Sequence, residues 1–260
     1  MLTEHIVVEV ARAAGLTGEI VFLEVTDSTN SELVRMAEDG APEWSLVVAD
    51  HQTAGRGRQG RAWVSAPGSS LLASVLIRAT LSAVDAPLVS LAAAVALASA
   101  CASSCGVAPM AKWPNDLVIG DRKLGGILAE SRVEGELLLF AVIGTGVNVL
   151  QKAVDFPSDL RSRATSIAME GGRPDVSRLL GDYLASLKAI FDLPREDFRS
   201  EVLRAYRERS ATLSRRVRAR TLSGAVVQGI AAQIGDSGEL VVESPSGRER
   251  VMFGEVVHLE

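Results

Sequence analysis

Between Ala86 and Ala111 the chain carries no charged residue. A run of that length must cross a bilayer or be buried on nearly every side within a protein. Its composition decides between the two. Ala and Ser dominate, Leu occurs only at 88, 91 and 97, and Cys105-Gly106 and Pro109 interrupt its end. Pro87 suits a first helical turn, and Asp85 stands where a cap would be. Small residues all round let a helix approach a sheet closely, so the run is expected to be a core helix and not a membrane span.

The remaining composition is compatible with one large or one large plus one small globular unit. At 47% hydrophobic and 23% charged, the 260 residues exclude disorder, collagen and coiled coil. A net charge of −5 argues against a protein coated for nucleic acid or anionic lipid. Cys101 and Cys105, with three histidines in the whole chain, do not suggest a zinc site. They read as small buried residues in a reducing compartment, which makes the expected location cytoplasmic. Met1 to Val10 includes Glu4 and Glu9 and lacks the basic start of a signal peptide.

Short β-branched runs at 20–25, 45–50 and 71–78 predict strands. Thr29 and Glu32 have capping-box spacing ahead of a helix that runs to Gly40. Two hairpins are expected, turning at Gly120-Asp121 and Glu134-Gly135, followed by amphipathic helices near 175–192 and 196–209. From Leu213 the pattern changes to short strands punctuated by Ser223-Gly224, Gly235 to Gly238 and Ser246-Gly247. Hairpins with helices between them predict an α+β fold on a mixed sheet, with a small all-β module at the end.

Chemistry concentrates in three places. Gln52 to Trp63 interleaves Gly55, Gly57 and Gly60 with Arg56, Arg58 and Arg61. The glycines satisfy the dinucleotide-binding spacing, but that fingerprint needs a helix to begin here, and turn residues follow instead. A mobile loop whose amides and guanidiniums surround an anion fits better. Next, Lys112-Trp-Pro-Asn-Asp116 leads into a hairpin that returns through Arg122-Lys123-Leu-Gly125-Gly126. Asn115, Asp116 and Lys123 could face one cleft, and paired glycines within a strand suggest a bulge or a close ligand. Last, Gly144-Thr-Gly-Val-Asn148 leaves an asparagine at a strand end. Together these supply the cations and open backbone that an anionic nucleotide intermediate needs. No P-loop sequence is present.

These pieces, with Asp27-Ser-Thr-Asn30 and the tail Gly254-Glu-Val-Val-His-Leu-Glu260, resemble the ordered motif set of biotin protein ligases from about residue 20 onward. The resemblance implies a catalytic domain similar to class II aminoacyl-tRNA synthetases and lipoate ligases over 1–211, and an SH3-like β-barrel over 212–260. It implies ATP and Mg²⁺ as requirements, biotin as substrate, and a biotin carboxyl carrier domain as partner. Ser28, Thr29, Asn30 and Gln52 would hold the ureido ring, and the backbone at Gly125 and Gly126 would line the biotin slot. Arg56, Gly57 and Arg58 would close over the biotin carboxylate. Arg58, Arg61, Trp63, Asn115, Lys123 and Asn148 would surround the nucleotide. Lys123 and Arg58 would act on the reacting oxygens, and Asp116 would orient or deprotonate the acceptor lysine. Metal ligands are not indicated.

Two departures from the family pattern stand out. Gln59 replaces a residue that is often basic, and, with motif residues beginning by Asp27, the winged helix of the family's bifunctional repressors is not expected. The competing readings are a lipoate or octanoate ligase and a biotin-responsive DNA-binding regulator. The regulator's support is the arginine-rich stretch from Arg204 to Arg220. No DNA or membrane partner is expected, and a monomer and a homodimer are both compatible with the sequence.

Overall fold

The computed structural model describes residues 2–78, 81–221, 224–252 and 254–259. Ser223, half of one expected turn, and Glu260, the end of the tail motif, lie outside the described residues. A seven-stranded mixed sheet forms the larger part. Its first two strands, β1 (Ile20–Thr26) and β2 (Leu46–Gln52), are parallel and joined by helix α2 (Thr29–Glu38). β3 (Ser70–Ile77), β4 (Met110–Lys112), β5 (Asp116–Ile119), β6 (Arg122–Glu134) and β7 (Leu137–Asn148) add antiparallel, giving the order β1-β2-β3-β7-β6-β5-β4. Both expected hairpins are present, with Gly120 and Gly135 in the left-handed conformation their turns require.

The uncharged run forms α3 (Ala86–Ala100) and a π-turn over Cys101–Cys105, ended by left-handed Gly106. It is buried, as expected: Leu88, Leu91, Leu97 and the alanines from 92 to 94 are at most 2% exposed. α3 lies between the sheet and the helices α4 (Val176–Phe191) and α5 (Arg195–Glu208). Both cysteines are buried free thiols. A further helix that the sequence reading did not place, α1 (Glu4–Ala13), packs Val7 and Ala11 against α4 and β1.

Two caps differ from expectation. Ser28, not Thr29, caps α2, its oxygen accepting from Ser31 N at 3.5 Å. Thr29 is unavailable because its N–H and hydroxyl both donate to Gln52 Oε1, at 2.8 and 3.0 Å. Asp85 precedes α3 but does not cap it; it pairs with Arg199 of α5 at 2.6 Å.

The tail folds as a five-stranded antiparallel sheet of β8 (Arg216–Thr221), β9 (Val226–Ile234), β10 (Leu240–Ser244), β11 (Gly247–Val251) and β12 (Gly254–His258), ordered β11-β10-β9-β8-β12. It is pinned to the larger sheet through Trp113. This side chain is 2% exposed, its indole N–H donates to Gly238 O at 2.9 Å, and its backbone N–H donates to Thr212 Oγ1 at 3.0 Å. Ala111 and Ala211 add a backbone bond at 2.8 Å, and Arg207 donates to Ile234 O at 2.6 Å.

His258 completes this joint. Arg215 donates to its Nδ1 at 2.9 Å and to Asp121 at 2.6 Å, which leaves Nε2–H to donate to Thr212 Oγ1 at 3.3 Å. The partners therefore assign a neutral tautomer. Burial, then the nearby cations Lys112 and Arg215, push the His258 pKa down to about 4, with Asp121 opposing. A histidine whose folded pKa lies below its unfolded value contributes fully above the unfolded pKa, near 6.5, and loses that contribution as pH falls toward 4. The thermal midpoint is expected to fall across that window, and His258→Gln to flatten the fall. An identical pH slope in both proteins, measured by calorimetry, would show that protonation of His258 is not coupled to folding.

Candidate active site

A cleft of about 790 Å³ opens where β2, β5, β6 and β7 meet the tail strand β12. It gathers residues from every motif identified in the sequence. Ser28, Thr29, Asn30, Gln52, Arg56, Gly57, Arg58, Arg61, Trp63, Asn115, Asp116, Lys123, Gly126 and Asn148 all line it. Gly125 does not. A side chain there would meet Gly146 O at 2.8 Å, so this glycine permits close approach of β6 and β7 and does not face the cavity.

One end of the cleft is neutral and polar, and its hydrogen bonds determine what it can still accept. Ser74 on β3, 0% exposed, lies 2.8 Å from Thr29 Oγ1 and 2.7 Å from Asn30 Oδ1. Both Asn30 amide hydrogens are used, toward Leu128 O at 3.0 Å and Glu130 Oε2 at 2.8 Å. Gln52 Oε1 is filled by Thr29. What remains for a ligand is the Gln52 amide donors, the Ser28 hydroxyl donor and a lone pair on Asn30 Oδ1. Donors beside an acceptor suit a group that carries both a carbonyl and an N–H.

The other end is cationic. Lys123 Nζ lies 2.6 Å from Asp116 Oδ1 and 5.9 Å from the centre of the Trp63 ring. A bulge in β6 produces this arrangement: Val118 pairs with Lys123 but Leu117 pairs with Gly125, so Leu124 is the extra residue. Without it, Lys123 and Gly126 would point to opposite faces. With it, a side chain at Gly126 would come within 3.2 Å of Lys123 Nζ. Burial draws the pKa of Arg58 below the ordinary guanidinium value; Asp116 opposes and Arg61 reinforces the shift. Burial likewise lowers that of Lys112, which Asp116 and Asp121 oppose while Lys123 and Arg163 reinforce it. Desolvated cations that repel one another form a site complementary to an anion.

The Gly-Arg loop roofs this end. It is folded back on itself, with Gly57 N–H to Arg61 O at 2.7 Å and Trp63 N–H to Gly55 O at 2.9 Å. Gln59 and Gly60 are both left-handed, and a single 3₁₀ turn, Arg58–Gly60, stands where a dinucleotide fold would begin a helix. Each arginine holds a different element: Arg56 pairs with Glu130 at 3.0 Å, Arg58 donates to Asn115 Oδ1 at 3.4 Å, and Arg61 pairs with Glu255 of the tail. Sequence reasoning gave no role to Ser74, Lys112, Glu130, Arg163 or Glu255. Lys112 and Glu255 stood inside quoted motifs, whereas the other three had no local signal.

Gly144-Thr-Gly-Val-Asn148 is explained by what its glycines leave open. A side chain at 144 would overlap the Asn30 amide, and one at 146 would come within 2.7 Å of the Trp63 ring. Thr145 points the other way, to Tyr183 OH at 2.9 Å, and Asn148 donates to Thr165 O at 2.9 Å.

Two segments of the chain match known families. Residues 22–148 match the biotin/lipoate A/B protein ligase family, and residues 212–259 match the biotin protein ligase C-terminal domain. A biotin–[acetyl-CoA-carboxylase] ligase from Mycobacterium tuberculosis is 36% identical, covering 90% of this chain and 86% of its own length. The chain belongs to the biotin protein ligase family. A bifunctional ligase/repressor BirA from Bacillus spizizenii is 31% identical over 91% of this chain and 73% of its own length. The fold is that of the Aquifex aeolicus biotin protein ligase solved with biotin and ATP, with a TM-score of 0.71 at 23% identity, covering 93% of this chain and 98% of that one. Within this ligase fold, Gly146 is the glycine that seats the cleft tryptophan. Gly146→Ala is expected to displace Trp63, costing about 1–3 kcal/mol by overpacking. Denaturant unfolding followed by tryptophan fluorescence tests this, and an unchanged spectrum and midpoint would contradict it.

Proposed function

We propose that the chain activates biotin with ATP and transfers the biotinyl group to one lysine of a biotin carboxyl carrier domain. The supporting observation is the adjacency, in one cleft, of a neutral donor–acceptor end and a desolvated cationic end. Ser28, Thr29, Asn30 and Gln52 would hold the ureido ring, with Gly126 keeping the slot open and Arg56, Gly57 and Arg58 closing over the carboxylate. The nucleotide would lie against Trp63, Asn115 and Asn148, with Arg58, Arg61 and Lys123 at its phosphates. Residues 1–211 would form the catalytic unit and 212–260 a separate SH3-like module. The compartment would be the cytoplasm.

In the first step a biotin carboxylate oxygen attacks the α-phosphorus, the bond to the bridging oxygen breaks, and pyrophosphate leaves. Two anions must approach, and Lys123 and Arg58 offset their repulsion. Magnesium would arrive on the triphosphate and neutralise part of its charge. It characteristically needs only one or two protein carboxylates, and the cleft offers Asp116 and Asp159. In the second step the acceptor amine attacks the acyl carbon, the bond to AMP breaks, and the amine loses a proton. Asp116 stands beside Lys123 and would orient that amine or take its proton.

Incubation with ATP, Mg²⁺, biotin and a carrier domain should add one biotin to a single lysine, and only when ATP and a divalent ion are both present. An unchanged intact mass of a folded carrier would overturn the reading.

The two cations should separate kinetically. Lys123 sits on a strand, so Lys123→Ala should slow adenylate formation by about 10²–10³. Arg58 sits in the roof, where a closed loop retains a reactive anhydride and excludes water. Arg58→Gly should still form biotinyl-AMP but release it faster, labelling bystander lysines. Single-turnover formation and dissociation measure both effects. Release at the wild-type rate would show that the loop does not act as a lid.

A further inference from the structure

Glu130 stands between two parts of the cleft that the reaction uses separately. Its Oε2 accepts from Asn30 Nδ2 at 2.8 Å and from Arg56 Nη2 at 3.0 Å, while its Oε1 makes no hydrogen bond among the described residues. Asn30 lies in α2 at the neutral end, and Arg56 opens the roof loop. One carboxylate oxygen therefore joins a side chain that would hold the ring to a loop that would close over the carboxylate. Strand β6 makes this reach possible. Alternation puts Gly126, Leu128 and Glu130 on one face. Leu128 O accepts the second Asn30 amide hydrogen at 3.0 Å, and Leu128 pairs in register with Gly144, whose missing side chain makes room for the Asn30 amide. With both hydrogens taken and Ser74 Oγ 2.7 Å from Oδ1, the Asn30 amide is held in one of its two orientations. Glu130 supplies one of those restraints.

Arg56 supplies the other half of the link. It bridges to Ala62 across the base of the roof loop, so a restraint on Arg56 acts on the whole loop. The side chains of Arg56 and Glu130 are 46% and 33% exposed, and an ion pair so placed contributes little by itself. Its importance lies in what it connects. With the roof in place, the guanidinium fixes the Glu130 side chain and, through it, the Asn30 amide. With a ring at the neutral end holding Asn30, Glu130 stays aligned for Arg56. Coupling of this kind is reciprocal: whatever a seated ring gains from a closed roof, the roof gains from a seated ring.

We propose that Glu130 is a positioning residue that makes the hold on an acyl adenylate conditional on its ring, so that a ureido-bearing acid is retained in preference to a plain fatty acid. The proposal rests on the ligase reading above and adds to it a residue that sets acid specificity.

The test compares two non-hydrolysable acyl sulfamoyl-adenosines, one biotinyl and one octanoyl, binding to wild type, Glu130→Gln, Arg56→Gln and the double variant. Calorimetry gives each Kd, and the ratio of the octanoyl to the biotinyl value is the ring selectivity. Glutamine at 130 keeps the shape and can still accept from Asn30 through its carbonyl oxygen, but it carries no charge for Arg56. It should weaken the biotinyl ligand about tenfold, within the usual range for coupled sites. The octanoyl ligand should bind it as it binds wild type, which also establishes that the variant is folded. Arg56→Gln should lower ring selectivity by the same factor, whatever it costs both ligands alike. The double variant should lower selectivity no further, because the two changes break one link. Unchanged selectivity in Glu130→Gln overturns the proposal. So does equal weakening of both ligands, the mark of a general loosening of β6, or multiplication of the two selectivity losses in the double variant. If Glu130→Gln does not fold, the half-exposed Arg56→Gln decides through its selectivity alone. If wild type binds both ligands equally, the cleft does not read the ring, and the ligase reading fails together with the proposal.

Discussion

Close packing of α3, a helix with no polar side, sets the distance between the seven-stranded sheet and the α4–α5 pair. Alanines along its length are at or near zero exposure and permit contact on several sides at once. Each buried leucine contributes about 1.5–3 kcal/mol through burial, and any added polar atom would have to find a partner in a region that offers few. α3, α4 and α5 thereby lie on one face of the sheet. The opposite face carries α2, with Leu33 and Ala37 packed on Val47, Leu76 and Val142, and beside it the roof loop and β12 complete the cleft, so its side chains stand on a rigid support.

On that support the cleft works by leaving selected groups unsatisfied. At the neutral end, Ser74, Thr29, Glu130 and Leu128 consume most of the hydrogen-bonding capacity of Asn30 and Gln52, and only particular donors and acceptors remain. At the charged end, burial and mutual repulsion make Arg58 and Lys112 less comfortable as cations than they would be in water. An arriving anion relieves that cost. The three loop arginines meanwhile hold three different elements, and one of these, Glu255, belongs to the tail. Loop position and tail position are therefore linked through a single carboxylate.

Much of this was legible in residue order. Turn glycines, β-branched runs and the change of pattern after Leu213 located the strands, and the interleaved Gly and Arg marked the loop. The misplaced details have local physical causes. Thr29 looked like a cap because it has the right neighbour three residues on, but its hydroxyl is claimed by Gln52, which lies 23 positions away. Asp85 looked like a cap and instead found Arg199, 114 positions away. At Gly125 a side chain would press on Gly146 of β7, a constraint of strand packing that lies outside its own neighbourhood. A residue's competing partners cannot be seen from its own neighbourhood.

By itself the sequence determined that a small-residue helix must be buried, that the strands around it must form a mixed sheet, and that cations and glycines must converge near residues 55–61, 112–126 and 144–148. These follow from patterning, because periodicity and charge act over a few residues. Only the tertiary structure decided which side chains meet. A one-residue bulge at Leu124 turned Lys123 over Gly126 onto Asp116, Gly146 admitted Trp63, and β12 carried Glu255 to the roof loop. Strand register and long-range packing fix those contacts, and a shift of one residue would reverse every face.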